Sequence, residues 1–184
     1  MYDIKIFEKY KIEYNWGTLM EGIKLGCLNL GSISDFAESF TLRNPSIIST
    51  NLDELLWKKN NNDELITLIT ELLDEINYSY NQQDEIRKWR YCILKEMVGA
   101  TEDKILLLEN VDQVYSDFDY PEEMESSIYY MEPKDDYDPT AHNKNDNIDR
   151  LISNLVEFLD SEESYINNLD NSHNVDQISK GEER

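Results

Sequence analysis

The sequence predicts an all-α protein, an irregular multi-helix bundle with a polar acidic C-terminal tail, and three observations carry that expectation. Apolar residues recur at three- and four-residue spacing through most of the 184 residues. The two-residue alternation that marks strands is scarce. Caps and breakers fall between the periodic stretches. Hydrophobic residues make up 40% of the chain and aromatics 11%, enough to build a core without disulfides or metals. One helical domain is expected over residues 1–160 and a flexible acidic tail over 161–184.

Taken in order, Ile4-Lys5-Ile6-Phe7 reads as a short extended arm. Trp16, Leu19, Met20 and Ile23 then follow a helical stripe, with Asn15 placed to cap it and Gly26 to stop it. Ser32 with Asp35 has capping-box spacing ahead of Phe36, Ala37 and Phe40, and Asn44-Pro45 ends that helix. Thr50 with Asp53 repeats the signature before Leu52, Leu55 and Leu56. The two strongest helices run over about 63–80, capped from Asn60-Asn61-Asn62, and about 84–98, stopped by Gly99. Trp16, Trp57 and Trp89 sit at helical spacing among aliphatic residues and are expected in the core. Thr101 is placed to cap a helix through Ile105, Leu108, Val111, Val114 and Tyr115.

A break follows at Asp117-Phe118-Asp119-Tyr120, and Pro121 opens a short helix that Met124 and Ile128 continue. Residues 132–147 read as an exposed loop, and Ile148 to Leu159 as a last amphipathic helix. Past residue 160 the scattered apolar residues are too few to offset the entropy of ordering the chain.

Charge narrows the function. The balance is 17 Lys+Arg against 39 Asp+Glu, net −22. Residues 1–100 hold 11 basic and 16 acidic side chains, residues 101–184 hold 6 and 23. Such a field repels phosphates and anionic lipid and attracts basic proteins, so neither direct nucleic-acid binding nor a membrane partner is expected. No apolar run approaches a membrane span or a signal peptide, and a cytoplasmic protein is expected.

Catalytic motifs are missing: there is no GxSxG, P-loop, GxGxxG or HExxH, and no cofactor is implied. His142 and His173 fall in loop and tail. Cys27 and Cys92 have no histidine or second cysteine near them in sequence, and Cys92 reads as a small buried hydrophobe. An enzyme is not expected.

One region concentrates carboxylates: Asp112, Asp117, Asp119, Glu122, Glu123 and Glu125. Three readings stand side by side. Paired carboxylates perform acid–base work or hold Mg²⁺ or Ca²⁺, though the glycine and terminal glutamate of a Ca²⁺ loop are missing. Acids around a turn also serve simply as caps and solvated surface. The third is a docking face in which acids steer a basic partner and tyrosines anchor it. Its residues are Asp112, Asp117, Asp119, Tyr120, Glu122, Glu123, Tyr129 and Tyr130.

Three segments together resemble a known family: Tyr14-Asn15-Trp16-Gly17-Thr18-Leu19-Met20-Glu21-Gly22-Ile23-Lys24-Leu25-Gly26, then Lys88-Trp89-Arg90-Tyr91-Cys92-Ile93-Leu94, then Tyr115-Ser116-Asp117-Phe118-Asp119-Tyr120-Pro121-Glu122 within the stretch 109–122. In that order they resemble the bacterial domain-of-unknown-function family numbered 2247. The last block is the specific one, and the resemblance covers about residues 12–131. It implies an immunity protein of a bacterial polymorphic toxin system, which binds and neutralises a cognate protein toxin. It implies no catalytic residues. The charge adds the expectation of a basic, nuclease-like toxin. The alternatives are a carboxylate-cluster metalloprotein or enzyme, and an acidic DNA mimic or helical adaptor.

Overall fold

The computed structural model describes residues 1–57 and 61–179, with side chains as far as residue 169. Among these residues the regular elements are helices, and the one strand-like pairing is an isolated parallel bridge between Tyr2 and Leu28. The chain divides into two compact units, Met1–Trp89 and Arg90–Arg184.

The first unit begins with α1 (Lys5–Tyr10). The expected extended arm is therefore helical. Ile4 and Phe7, three apart, are buried on one side together with Ile6, and the Ile4 amide donates to Ser32 Oγ at 3.2 Å. That bond also explains why Ser32 does not cap α3 (Gly31–Arg43): its hydroxyl is buried against the N-terminus.

In α2 (Trp16–Lys24) the expected cap holds. Asn15 Oδ1 accepts from the Gly17 and Thr18 amides, and Thr18 Oγ1 accepts from the Asn15 amide. For α4 (Thr50–Trp57), Ser49 rather than Thr50 supplies the cap, accepting from the Leu52 amide at 3.1 Å. Trp57 is 86% exposed, contrary to expectation. Leu52 and Leu55 point inward, and a residue two positions past Leu55 lies on the opposite side of a helix.

Asn61 caps α5 (Asn62–Glu75) through the Glu64 amide. The helix stops short of Tyr80 because Asn77 turns left-handed (φ 51°), which lets the Tyr78 amide donate back to the Leu73 carbonyl at 2.9 Å. The core of this unit is aromatic. Trp16 meets Phe36 edge-on at 4.8 Å, and Phe7 meets Trp89 edge-on at 4.7 Å.

The helix α6 (Gln82–Ala100) runs through Gly99 rather than stopping there, and its residues 88–94 are all buried. In the second unit it is followed by α7 (Lys104–Asp117), a 3-10 helix Glu122–Ser127, a single 3-10 turn Pro139–Ala141 and α8 (Lys144–Ser179). Asp103, not Thr101, caps α7, because its carboxylate reaches the Ile105 and Leu106 amides at 2.8 and 3.3 Å.

Helix α8 continues well past the expected end near Leu159. Its buried stripe runs Leu155, Phe158, Leu159, Glu162 and Ile166 at spacings of three and four. A glutamate occupies a core position there because Arg90 Nη2 donates to Glu162 Oε2 at 3.0 Å. Residues 161–179 are thus helical, and residues 180–184 of the expected tail lie outside the described residues. No described helix is long and apolar enough to cross a membrane.

Candidate partner-binding site

The carboxylate-rich region is shaped by the way α7 ends. The Phe118, Asp119 and Tyr120 amides donate back to the carbonyls of Val114, Ser116 and Tyr115. Asp119 and Tyr120 both take left-handed backbone (φ 61° and 56°). Asp tolerates that conformation, whereas a bulky residue occupies it at a cost. Tyr120 is held by its ring, edge-on to buried Tyr115 at 5.3 Å. Pro121 is the residue before the helix, not its first residue, and the turn that follows winds as 3-10 rather than α. Met124, Ser127 and Ile128 bury themselves and leave Tyr129 and Tyr130 outward, edge-on to each other at 5.1 Å.

The eight expected docking residues do not share one fate. Tyr120, Tyr129 and Tyr130 are exposed by 58%, 66% and 53%. Asp112 is half-buried on α7, and burial first and Glu109 second push its carboxyl up to about 6. Burial raises the Tyr130 hydroxyl above its ordinary value, followed by the charges of Asp112, Tyr120 and Tyr129.

Asp117 and Asp119 are exposed at the end of α7, Asp117 accepting from Gln113 at 2.7 Å. Glu122 is tied to Lys134 at 3.0 Å, and the same ammonium reaches Glu125 at 2.9 Å. Those two hydrogen bonds, Glu125's first, raise the Lys134 pKa. Glu123 departs from the set: its carboxylate accepts from buried Arg90 at 2.9 Å, so it braces α6.

Beside the tyrosines lies a groove of about 800 Å³ that the sequence did not signal. Its apolar walls come from Ile105 and Leu108 of α7, Ile128 and Met131 after the 3-10 helix, and Ile148 and Leu151 of α8. Tyr129 belongs both to this groove and to the tyrosine face.

The expected loop 132–147 closes one end through a polar stack. The Arg150 guanidinium lies 4.2 Å from the centre of the Tyr137 ring, and Tyr137 stacks on His142 at 4.5 Å. Arg150 also donates to both Asp135 oxygens at 2.9 Å, which holds that carboxyl below its ordinary value. The Tyr137 hydroxyl donates to Asn147 at 2.6 Å. An aromatic pair framed by arginine was the only available signal, and the charged residues around it hid it.

In the second unit Arg90, Lys95, Lys104, Lys134 and Arg150 each hold at least one carboxylate. Asp117 and Asp119 form no ion pair among the described residues. No described group of three or more His, Cys, Asp or Glu side chains is arranged to hold a metal ion. Burial pushes the Cys27 thiol up to about 12, against what a nucleophile needs. His142 is in the exposed stack already described, and the side chain of His173 lies outside the described residues.

No curated protein and no solved structure matches the chain. One family model does, over residues 4–163: "Uncharacterized protein conserved in bacteria (DUF2247)".

Proposed function

We propose, for a chain that belongs to the bacterial family DUF2247, that it is an immunity protein. In this reading it binds a cognate toxin domain of basic, nuclease-like character and covers its working surface. One observation carries the reading: acidic groups in no ion pair among the described residues, Asp117 and Asp119, flank the turn that presents exposed Tyr120 on buried Tyr115, and exposed Tyr129 and Tyr130 follow in the same short stretch. Acids of this kind speed encounter with a basic protein, and tyrosines supply contact area at low entropic cost. Inhibition by covering requires no chemistry from the inhibitor.

The test is association with the toxin-like product of the adjoining gene, measured by stopped flow across a range of salt. Asp117→Lys with Asp119→Lys is expected to slow association about tenfold at low salt and flatten its salt dependence, with the melting temperature nearly unchanged. An acidic cognate protein, or an association rate indifferent both to salt and to these changes, would sink the proposal.

A further inference from the structure

Resting on the toxin-binding reading, we propose that the groove beside Tyr129 is where the partner anchors. It would receive an amphipathic segment with aliphatic or aromatic side chains along one side and lysine or arginine along the other. Most of the groove's lining surface is apolar, and two of its cations are held by carboxylates. Arg150 is committed to Asp135, and Lys134 to Glu122 and Glu125. A lining that is mostly apolar favours apolar side chains over a polar small molecule.

The lining also includes Glu109, Glu132 and Glu157, all exposed. Five carboxylates and three cations line the groove in all, and two of those cations are already spent on carboxylates. An apolar trough with surplus negative charge at its edge complements a helix laid in by its apolar side with its basic residues outward. Tyr129 makes the trough continuous with the acidic tyrosine face, so one partner can engage both.

The probe is a fluorescent Leu/Lys peptide of about 14 residues, with leucines at helical spacing, compared with a Ser/Lys peptide of equal charge. Both are titrated by anisotropy against the full chain and against two variants of equal charge change. Ile105→Lys places its charge in the groove. Leu106→Lys places it on the adjacent, equally exposed residue of α7, which is outside the residues lining the groove.

The Leu/Lys peptide is expected to bind the wild type about tenfold more tightly than Ser/Lys, to lose about tenfold with Ile105→Lys, and to change little with Leu106→Lys. Equal binding of the two peptides, or equal effects of the two substitutions, overturns the inference. So does self-association of the chain that Ile105→Lys abolishes, which would give the groove to a second copy. Toxin binding that Ile105→Lys leaves untouched overturns the groove and spares the toxin reading. A toxin that does not bind at all removes that reading, while the peptide titration still decides the groove.

Discussion

Gly22 packs directly against Trp89 in the first unit, and Gly22→Ala tests that packing. A Cβ built there stands 2.5 Å from Trp89 Cζ2, 2.8 Å from Cε2 and 3.0 Å from Leu28 Cβ. Ordinary carbon contacts lie more than 1 Å further out than the first of these. The indole has little room to retreat, because its N–H donates to the Thr18 carbonyl at 2.7 Å and Phe7 meets its ring edge-on at 4.7 Å. Leu28 is fixed as well, its amide bonded to the Gly22 carbonyl at 3.1 Å.

Overpacking of this kind costs about 1–3 kcal/mol, and the rigid surroundings favour the upper end. Alanine's better helix propensity returns about 1 kcal/mol. The expected net loss is about 2 kcal/mol, a fall of at least about 4 °C in melting temperature. Urea titration followed by near-UV circular dichroism measures it. In a Trp89→Phe background the smaller ring lacks Cζ2, the nearest clashing atom, so the cost of Gly22→Ala should shrink by more than about 1 kcal/mol. A Gly22→Ala protein as stable as wild type, or an undiminished cost in the double variant, would refute this account of the contact.

Arg90→Ala strands the buried Glu162 carboxylate and should cost about 3–5 kcal/mol, whereas Arg90→Met with Glu162→Met should recover most of it; chemical denaturation of both compares them. Asp112 titrates near 6 in the native state against an ordinary 3.8, so the native state holds that proton more tightly than the unfolded chain. The group therefore favours folding at low pH and loses that contribution as pH rises through about 4 to 6. Asp112→Asn should gain on the order of 1 kcal/mol at pH 8, after allowance for solvent screening, and almost nothing near pH 3, as melting temperatures across pH will show. Glu123→Lys should lower the melting temperature by setting a second cation against Arg90, while Glu122→Lys, next to it in sequence, should slow toxin association and leave melting nearly unchanged.

Helix class and most core positions were legible in the sequence because Leu65, Ile69, Leu72 and Leu73, or Val111 and Val114, repeat at helical spacing with no competing signal. What misled were polar residues doing structural work at a distance. Ser32 has the spacing of a cap, but its hydroxyl is claimed by an amide 28 residues earlier. Glu162 interrupts an apolar stripe on paper and completes it in the structure once Arg90 neutralises it. Trp57 failed for a local reason, its angular distance from Leu55. Two of the three family-like segments meet where Gly22 packs on Trp89, a contact that periodicity cannot signal because glycine adds nothing to a hydrophobic stripe. Of the candidate site, the tyrosines at 120, 129 and 130 are exposed and Tyr129 meets Tyr130 edge-on. Glu123's bond to Arg90 was not legible, because sequence adjacency to Glu122 does not say which way a carboxylate turns.

A net charge of −22 is therefore a poor measure of what a partner encounters. Glu21 is buried and accepts from Tyr80, Lys24 and Gln82 at 2.6, 2.8 and 3.0 Å; Glu85 is buried and accepts from Thr18, Asn15 and Lys88. With Glu162 these charges are matched inside and contribute little outward. The matching consumes cations too, and in the second unit five of them are engaged with carboxylates. Positive surface that would oppose a basic partner is thereby removed at the same time as negative charge is hidden. The outward field then depends on the carboxylates left without cations, and in the stretch that carries Tyr120, Tyr129 and Tyr130 these include Asp117 and Asp119 at the end of α7. Steering and anchoring groups thus come from one short stretch whose backbone is fixed by the left-handed turn at Asp119 and Tyr120.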